Sequence, residues 1–123
     1  MRSRVLASAA LAAVAATVVG LPAANASRQV SFVQVVQKEF TLTLSRPAVQ
    51  RGTVSVELVN FGMDAHDLIV LKKAPGAKPI AFKRLDPKGR ADRTLKLTPG
   101  RYSLWCSIAD HRSRAMRATL VVR

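Results

Sequence analysis

The chain has 123 residues, with 20 Lys and Arg against 7 Asp and Glu, a formal charge of +13, one cysteine and two histidines, a length that suits a single domain. A lone cysteine excludes an intramolecular disulfide framework, a Cys-rich structural zinc site and a Cys-x-x-Cys redox pair. Six glycines, six prolines and 49% apolar residues exclude collagen-like and disordered basic chains, so a charge that first suggests nucleic acid sits on a chain able to form a core.

Residues 1–26 read as a secretory signal peptide. Arg2 and Arg4 form the positive start, Val5–Leu21 is an alanine-rich apolar run, and Ala24-Asn25-Ala26 is a small-x-small cleavage box. The competing reading is an uncleaved anchor, because no charge lies between Arg4 and Arg28. Cleavage near Ala26 predicts an exported protein, periplasmic, extracellular or cell-surface, whose folded unit is residues 27–123. Loss of Arg2 and Arg4 lowers the charge to +11.

The remainder reads as all-β, since its apolar residues alternate at period two between turn-like breaks. Residues 30–36 begin with Val30 and Phe32 and shift parity to Val33 and Val35, which predicts a bulge or a strand that changes sheets. Phe40, Leu42 and Leu44 alternate in 38–45, and Val54, Val56 and Leu58 in 53–60, after an Arg51-Gly52 turn. His66, Leu68 and Val70 share a face. Lys73–Arg93 holds three proline-containing breaks and seven cations, and reads as a solvated basic flap in which Ile80–Leu85 is either a short strand or a helical turn. Leu95 and Leu97 follow. Beyond Pro99-Gly100, Tyr102, Leu104 and Cys106 point inward while Trp105 and Ser107 point outward, and Met116, Ala118, Leu120 and Val122 form the last run. Seven to eight such strands predict a Greek-key β-sandwich.

The chemistry rests on a short list. Cys106, His111 and Met116 fall within eleven residues, where one strand ends and the next begins, and His66 opens an apolar strand elsewhere. One thiolate, two imidazoles and one thioether form the ligand set of a blue-copper centre. Taken singly, each has a plainer role: a buried small hydrophobe, an edge histidine, a loop histidine and a core methionine. Met63 lies near His66 and either lines the site or packs at the pole.

The segments Asn60-Phe-Gly62-Met-Asp-Ala-His66-Asp-Leu and Pro99-Gly100-Arg-Tyr102-Ser-Leu-Trp-Cys106, leading into His111 and Met116, resemble the cupredoxins, the plastocyanin- and azurin-like type 1 blue copper proteins. The resemblance runs from about Phe32 to Val122. It implies that His66, Cys106, His111 and Met116 bind one mononuclear type 1 copper ion that cycles between Cu(I) and Cu(II). Three departures stand out. Asp110 replaces a glycine before the second histidine and is suited to a left-handed backbone. Alanines flank Met116 at 115 and 118, where the family has glycine. Asp67 replaces an asparagine and is expected to accept hydrogen bonds from loop amides or Ser107.

The expected function is electron transfer and not an enzymatic one, because these ligands leave no open position for substrate. The docking patch is expected at an exposed edge of His111, rimmed by Ile108, Ala109 and Ala115, with Arg112, Arg114 and Arg117 favouring a redox protein with an acidic docking face. Trp105 is a second candidate route. The alternatives are a copper trafficking or buffering protein, and a metal-free basic domain in contact with an anionic cell surface. A monomer is expected. Nucleic acid is not an expected partner, because the chain is read as exported and its six aromatics as placed on strand interiors and the pole.

Overall fold

The computed structural model describes residues 19–20 and 29–123; the signal segment read over 1–26 lies outside them apart from Val19 and Gly20. Nine strands and no helix form among the described residues: β1 (Ser31–Lys38), β2 (Thr41–Leu44), β3 (Ala48–Val49), β4 (Gly52–Asn60), β5 (His66–Lys72), β6 (Ile80–Leu85), β7 (Arg90–Leu97), β8 (Gly100–Trp105) and β9 (Arg117–Val122). They build a four-stranded sheet in the order β2-β1-β4-β7 and a five-stranded sheet in the order β3-β9-β8-β5-β6. The β1–β4 and β3–β9 pairs are parallel and the others antiparallel, so both sheets are mixed.

Period-two patterning explains the sandwich. Val33, Val35, Val54, Val56, Leu58, Leu95 and Leu97 of one sheet bury against Leu68, Val70, Phe82, Tyr102, Leu104, Leu120 and Val122 of the other. Each such side chain contributes roughly 1.5–3 kcal/mol on burial. The alternation places Cys106 and Met116 at one end of this core, both fully buried.

The structure corrects three readings of the sequence. β1 carries no bulge: it pairs with β4 in unbroken register from Ser31–Val54 to Gln37–Asn60, and the parity break arises because Phe32 lies on the outer face, 42% exposed. Phe61 and Met63 are also exposed, so the aromatics are not confined to the interior and Met63 neither packs at the pole nor lines it. Lys73–Arg93 is not a solvated flap: Ile80–Leu85 is a strand, the first of its two alternatives, and Arg90–Arg93 begins another. β6 pairs with β5 at the edge of one sheet, and Asp86–Gly89 carries the chain over to β7, the edge strand of the other. Phe82 is the one fully buried apolar residue of β6, so charged neighbours mask its alternation.

The β1–β2 connection also differs from an uninterrupted run over 38–45. Lys38 pairs with Thr41, leaving Glu39 and Phe40 as the two-residue tip of a hairpin. That tip lies against the pole that holds Cys106.

Candidate metal centre

His66 opens β5, Cys106 follows the last residue of β8, and His111 lies in the loop that returns the chain to β9. The three meet at the pole, His66 and Cys106 fully buried and His111 only 7% exposed. Nδ1 of His66 lies 3.2 Å from Nδ1 of His111, and Sγ of Cys106 lies 3.8 Å and 3.5 Å from these nitrogens. Those edges are what one ion leaves when it is held at roughly 2.0–2.3 Å from each donor. Two imidazole nitrogens and a thiol turned toward one point, with no acidic group among them, form a soft donor set suited to copper. Burial pushes the Cys106 thiol pKa above its usual range, so a metal entering here displaces a proton.

Glu39, at the hairpin tip, is the residue that sequence reasoning missed. Its Oε1 accepts from Nε2 of His66 at 2.9 Å and from the backbone N–H groups of Met63 and Asp64, each at 2.7 Å. With the proton fixed on Nε2, the lone pair of His66 sits on Nδ1 and faces the other donors, and the carboxylate holds the ring in that orientation. Gly62 makes this approach possible, because a Cβ there would collide with the Glu39 carboxylate. Chiefly through the Asp64 and Met63 amides, with help from His66, the Glu39 pKa falls from 4.5 to about 2.

Two buried amides brace the same segment. Asn60 donates to the carbonyls of Asp64 and Leu85 and accepts from the Gly62 amide, while Gln37 donates to the Asp67 carbonyl at 2.7 Å. Asp67 accepts from the backbone N–H of Ser107 at 2.6 Å and from its hydroxyl, which ties β5 to the residue after Cys106. The β5–β6 register shifts between His66 and Leu68, a bulge of the kind that re-aims a side chain at a functional site.

No family model matches the chain, and no curated protein matches it. Solved structures do. An auracyanin from Roseiflexus castenholzii matches with a TM-score of 0.61 at 18% identity, over 76% of this chain and 97% of its own. Auracyanin A, a "blue" copper protein from the green thermophilic photosynthetic bacterium Chloroflexus aurantiacus, matches at 0.60 and 14% identity, over 77% of this chain and 100% of its own. The copper protein rusticyanin matches at 0.58 and 19% identity, over 79% and 80%. The chain has the cupredoxin fold. Cupredoxin architecture and the His66-Cys106-His111 cluster together support one mononuclear type 1 copper site.

Within this fold, Met116 is fully buried beside Cys106; its carbonyl accepts from the Cys106 amide at 3.2 Å and its amide donates to the His111 carbonyl at 3.0 Å. The left-handed residues of the loop are Ala109 (φ 45°) and Ala115 (φ 77°), not Asp110. Asp110 instead accepts from Nε of Arg114 at 2.8 Å. The surroundings of His111 differ from an open rim. Phe40 packs edge-on against its ring at 5.1 Å between centroids, and the Arg114 guanidinium lies over Phe40 at 4.4 Å. Ile108 is half-buried and packs against the core, while Ala109, Ala115 and Arg117 are exposed. Arg112 turns away to cover the outward face of Trp105 at 4.3 Å.

Proposed function

We propose that the protein is an exported single-copper electron carrier with no enzymatic activity of its own. The observation that carries this reading is the buried triangle of His66 Nδ1, His111 Nδ1 and Cys106 Sγ, with edges of 3.2, 3.5 and 3.8 Å. A copper ion held there by His66, Cys106 and His111, with Met116 as a fourth, weak donor, would supply a one-electron couple between Cu(I) and Cu(II).

The protein's own groups do the rest. Glu39 holds His66 in one tautomer, and the Asp67–Ser107 bonds fix the strand that carries His66 to the turn that carries Cys106. Donors held this firmly keep their places in both oxidation states, and full burial of Cys106 and Met116 excludes water from that side. Three histidine and cysteine side chains plus Met116 fill the site, which favours electron exchange over substrate binding. The charge of +11 on residues 27–123 favours an acidic redox partner by long-range steering.

Adding Cu(II) to the purified protein is expected to give an intense blue thiolate-to-copper band that is absent in Cys106→Ser, with reversible voltammetry. A colourless complex with the same stoichiometry would overturn the electron-carrier reading in favour of trafficking or buffering. Export is checked by the N-terminus of the secreted protein, expected at Ser27.

A further inference from the structure

Arg112 and Arg117 lie close to Arg114 in the sequence, yet they serve a different surface. Arg114 closes the pole over Phe40 and pairs with Asp110. Arg112 and Arg117 instead join Lys73, just beyond β5, around a cleft of about 400 Å³ on the outer side of the five-stranded sheet. Its floor is built by the β8–β9 ladder, where Ser103 faces Thr119 and Trp105 faces Arg117 across the pair. No carboxylate lines it, and among the described residues Lys73, Arg112 and Arg117 make no ion pair. The hydroxyls of Ser103 and Thr119 enter no hydrogen bond with a described side chain.

Three uncompensated cations from three separate parts of the chain, around a stacked Trp–Arg pair and two free hydroxyls, form a surface that favours several separated negative charges over one. Like charges gathered without a counter-ion repel one another, and a carboxylate-bearing partner relieves that repulsion while gaining charge-assisted hydrogen bonds. Three carboxylates near the pole are already engaged, Glu39 with His66, Asp67 with Ser107 and Asp110 with Arg114, and the exposed Asp64 does not line the cleft. None competes for the cleft.

We infer that this cleft is the docking site for a carboxylate-rich segment of a protein partner. The inference rests on the electron-carrier reading only in naming that partner a redox protein; the recognition chemistry stands on the cleft itself. Docking is thereby placed on the side of the β8–β9 ladder, and not on the His111 edge, which Phe40 and Arg114 cover.

Trp105 is the single tryptophan of the chain and lines the cleft, so its fluorescence reports on occupancy. Hexaglutamate peptide is the probe, titrated at low salt into the protein both metal-free and loaded with Cu(I). A saturable change in emission is expected in both forms. Arg112→Gln with Arg117→Gln should weaken binding by about tenfold or more, whereas Lys83→Gln with Arg84→Gln, an equal loss of charge on exposed β6 positions, should change it less than about twofold. Lys73→Gln alone leaves the Trp105–Arg112 stack in place and should also weaken binding, so altered emission of the double variant does not obscure the result. Equal weakening by both pairs, or no response of Trp105, would overturn the proposal. So would tighter binding of inorganic phosphate, or of phosphatidylserine vesicles, than of the peptide. A protein that binds the peptide through Arg112 and Arg117 but forms no blue copper complex would support the cleft and refute the electron-carrier reading.

Discussion

Ala115 holds a left-handed backbone (φ 77°) without the freedom of glycine, at the residue that delivers Met116 to the pole. An L-residue pays about 1–2 kcal/mol for that conformation, partly offset by the lower entropy of an unfolded alanine. Ala115→Gly is therefore expected to stabilise the metal-free protein by about 0.5–1 kcal/mol, read as a higher urea midpoint with an unchanged slope. At Glu39 the effect concerns the site. Glu39→Gln keeps an acceptor oxygen for the Met63 and Asp64 amides but removes the charge beside His66, so Cu(II) is lost more than Cu(I). The reduction potential should rise in voltammetry, and Cu(II) affinity should fall by about 10–100-fold. Glu39 also gives the metal-free protein an acid sensitivity. Its pKa is 4.5 ordinarily and about 2 when folded, so between these values the unfolded chain binds more protons. The stability it confers is complete above about pH 4.5 and is lost as pH falls toward 2; urea midpoints across this range should fall less steeply in Glu39→Gln. The scarce donors Cys106, His66, His111 and Met116 stand out in the sequence because few soft ligands exist to choose from. Glu39 does not, because a charged residue at a hairpin tip looks like any turn, and its partner is 27 positions away. Gln37 left a fainter trace, a polar residue on the inward parity of Val33 and Val35.

Among the elements, β4, β8 and β9 were legible because one face is apolar and the other polar, and the Pro99-Gly100 break marks the entry to β8. β6 and β7 were not. They are edge strands with few buried residues, and Lys83, Arg84, Arg90, Arg93 and Lys96 fill the positions where an alternation would show. The same charges protect the sheet edges from pairing with another chain. Replacing Lys83 and Arg84 by valine should leave the metal site intact and increase self-association with rising concentration, measured by sedimentation against the unaltered protein. The β1–β2 hairpin shows the limit of pattern reading in another way: alternation over 38–45 was real, but the reversal at Glu39-Phe40 that places both residues at the pole depends on pairing of Lys38 with Thr41.

For the whole molecule, a copper ion bound by His66, Cys106 and His111 would join β5 to the loop between β8 and β9 at the end of a modest core with no disulfide. Ligand that binds only the folded state stabilises it by mass action, about 4 kcal/mol at a thousandfold excess over Kd. Copper loading should raise the melting temperature by on the order of 15 °C. Chelation should reverse the gain, and Cys106→Ser should show little of it in a thermal scan. Overall fold class was readable from period two and length; the split of the cations between pole and outer cleft was not, since Arg112, Arg114 and Arg117 are near neighbours in sequence and diverge only through what each packs against.

The bonds that brace the pole join residues far apart along the chain: Glu39 to His66 over 27 positions, Gln37 to Asp67 over 30, and Asp67 to Ser107 over 40. Each closes a long loop, and such closures come late in folding because their entropy is spent before the contact is gained. His66 cannot meet Cys106 and His111 until β5 has docked beside β8. In a refolding experiment with copper present, the blue colour should therefore lag behind the first collapse and rise together with native sheet structure, making the absorbance of the centre a clock for the last step of assembly.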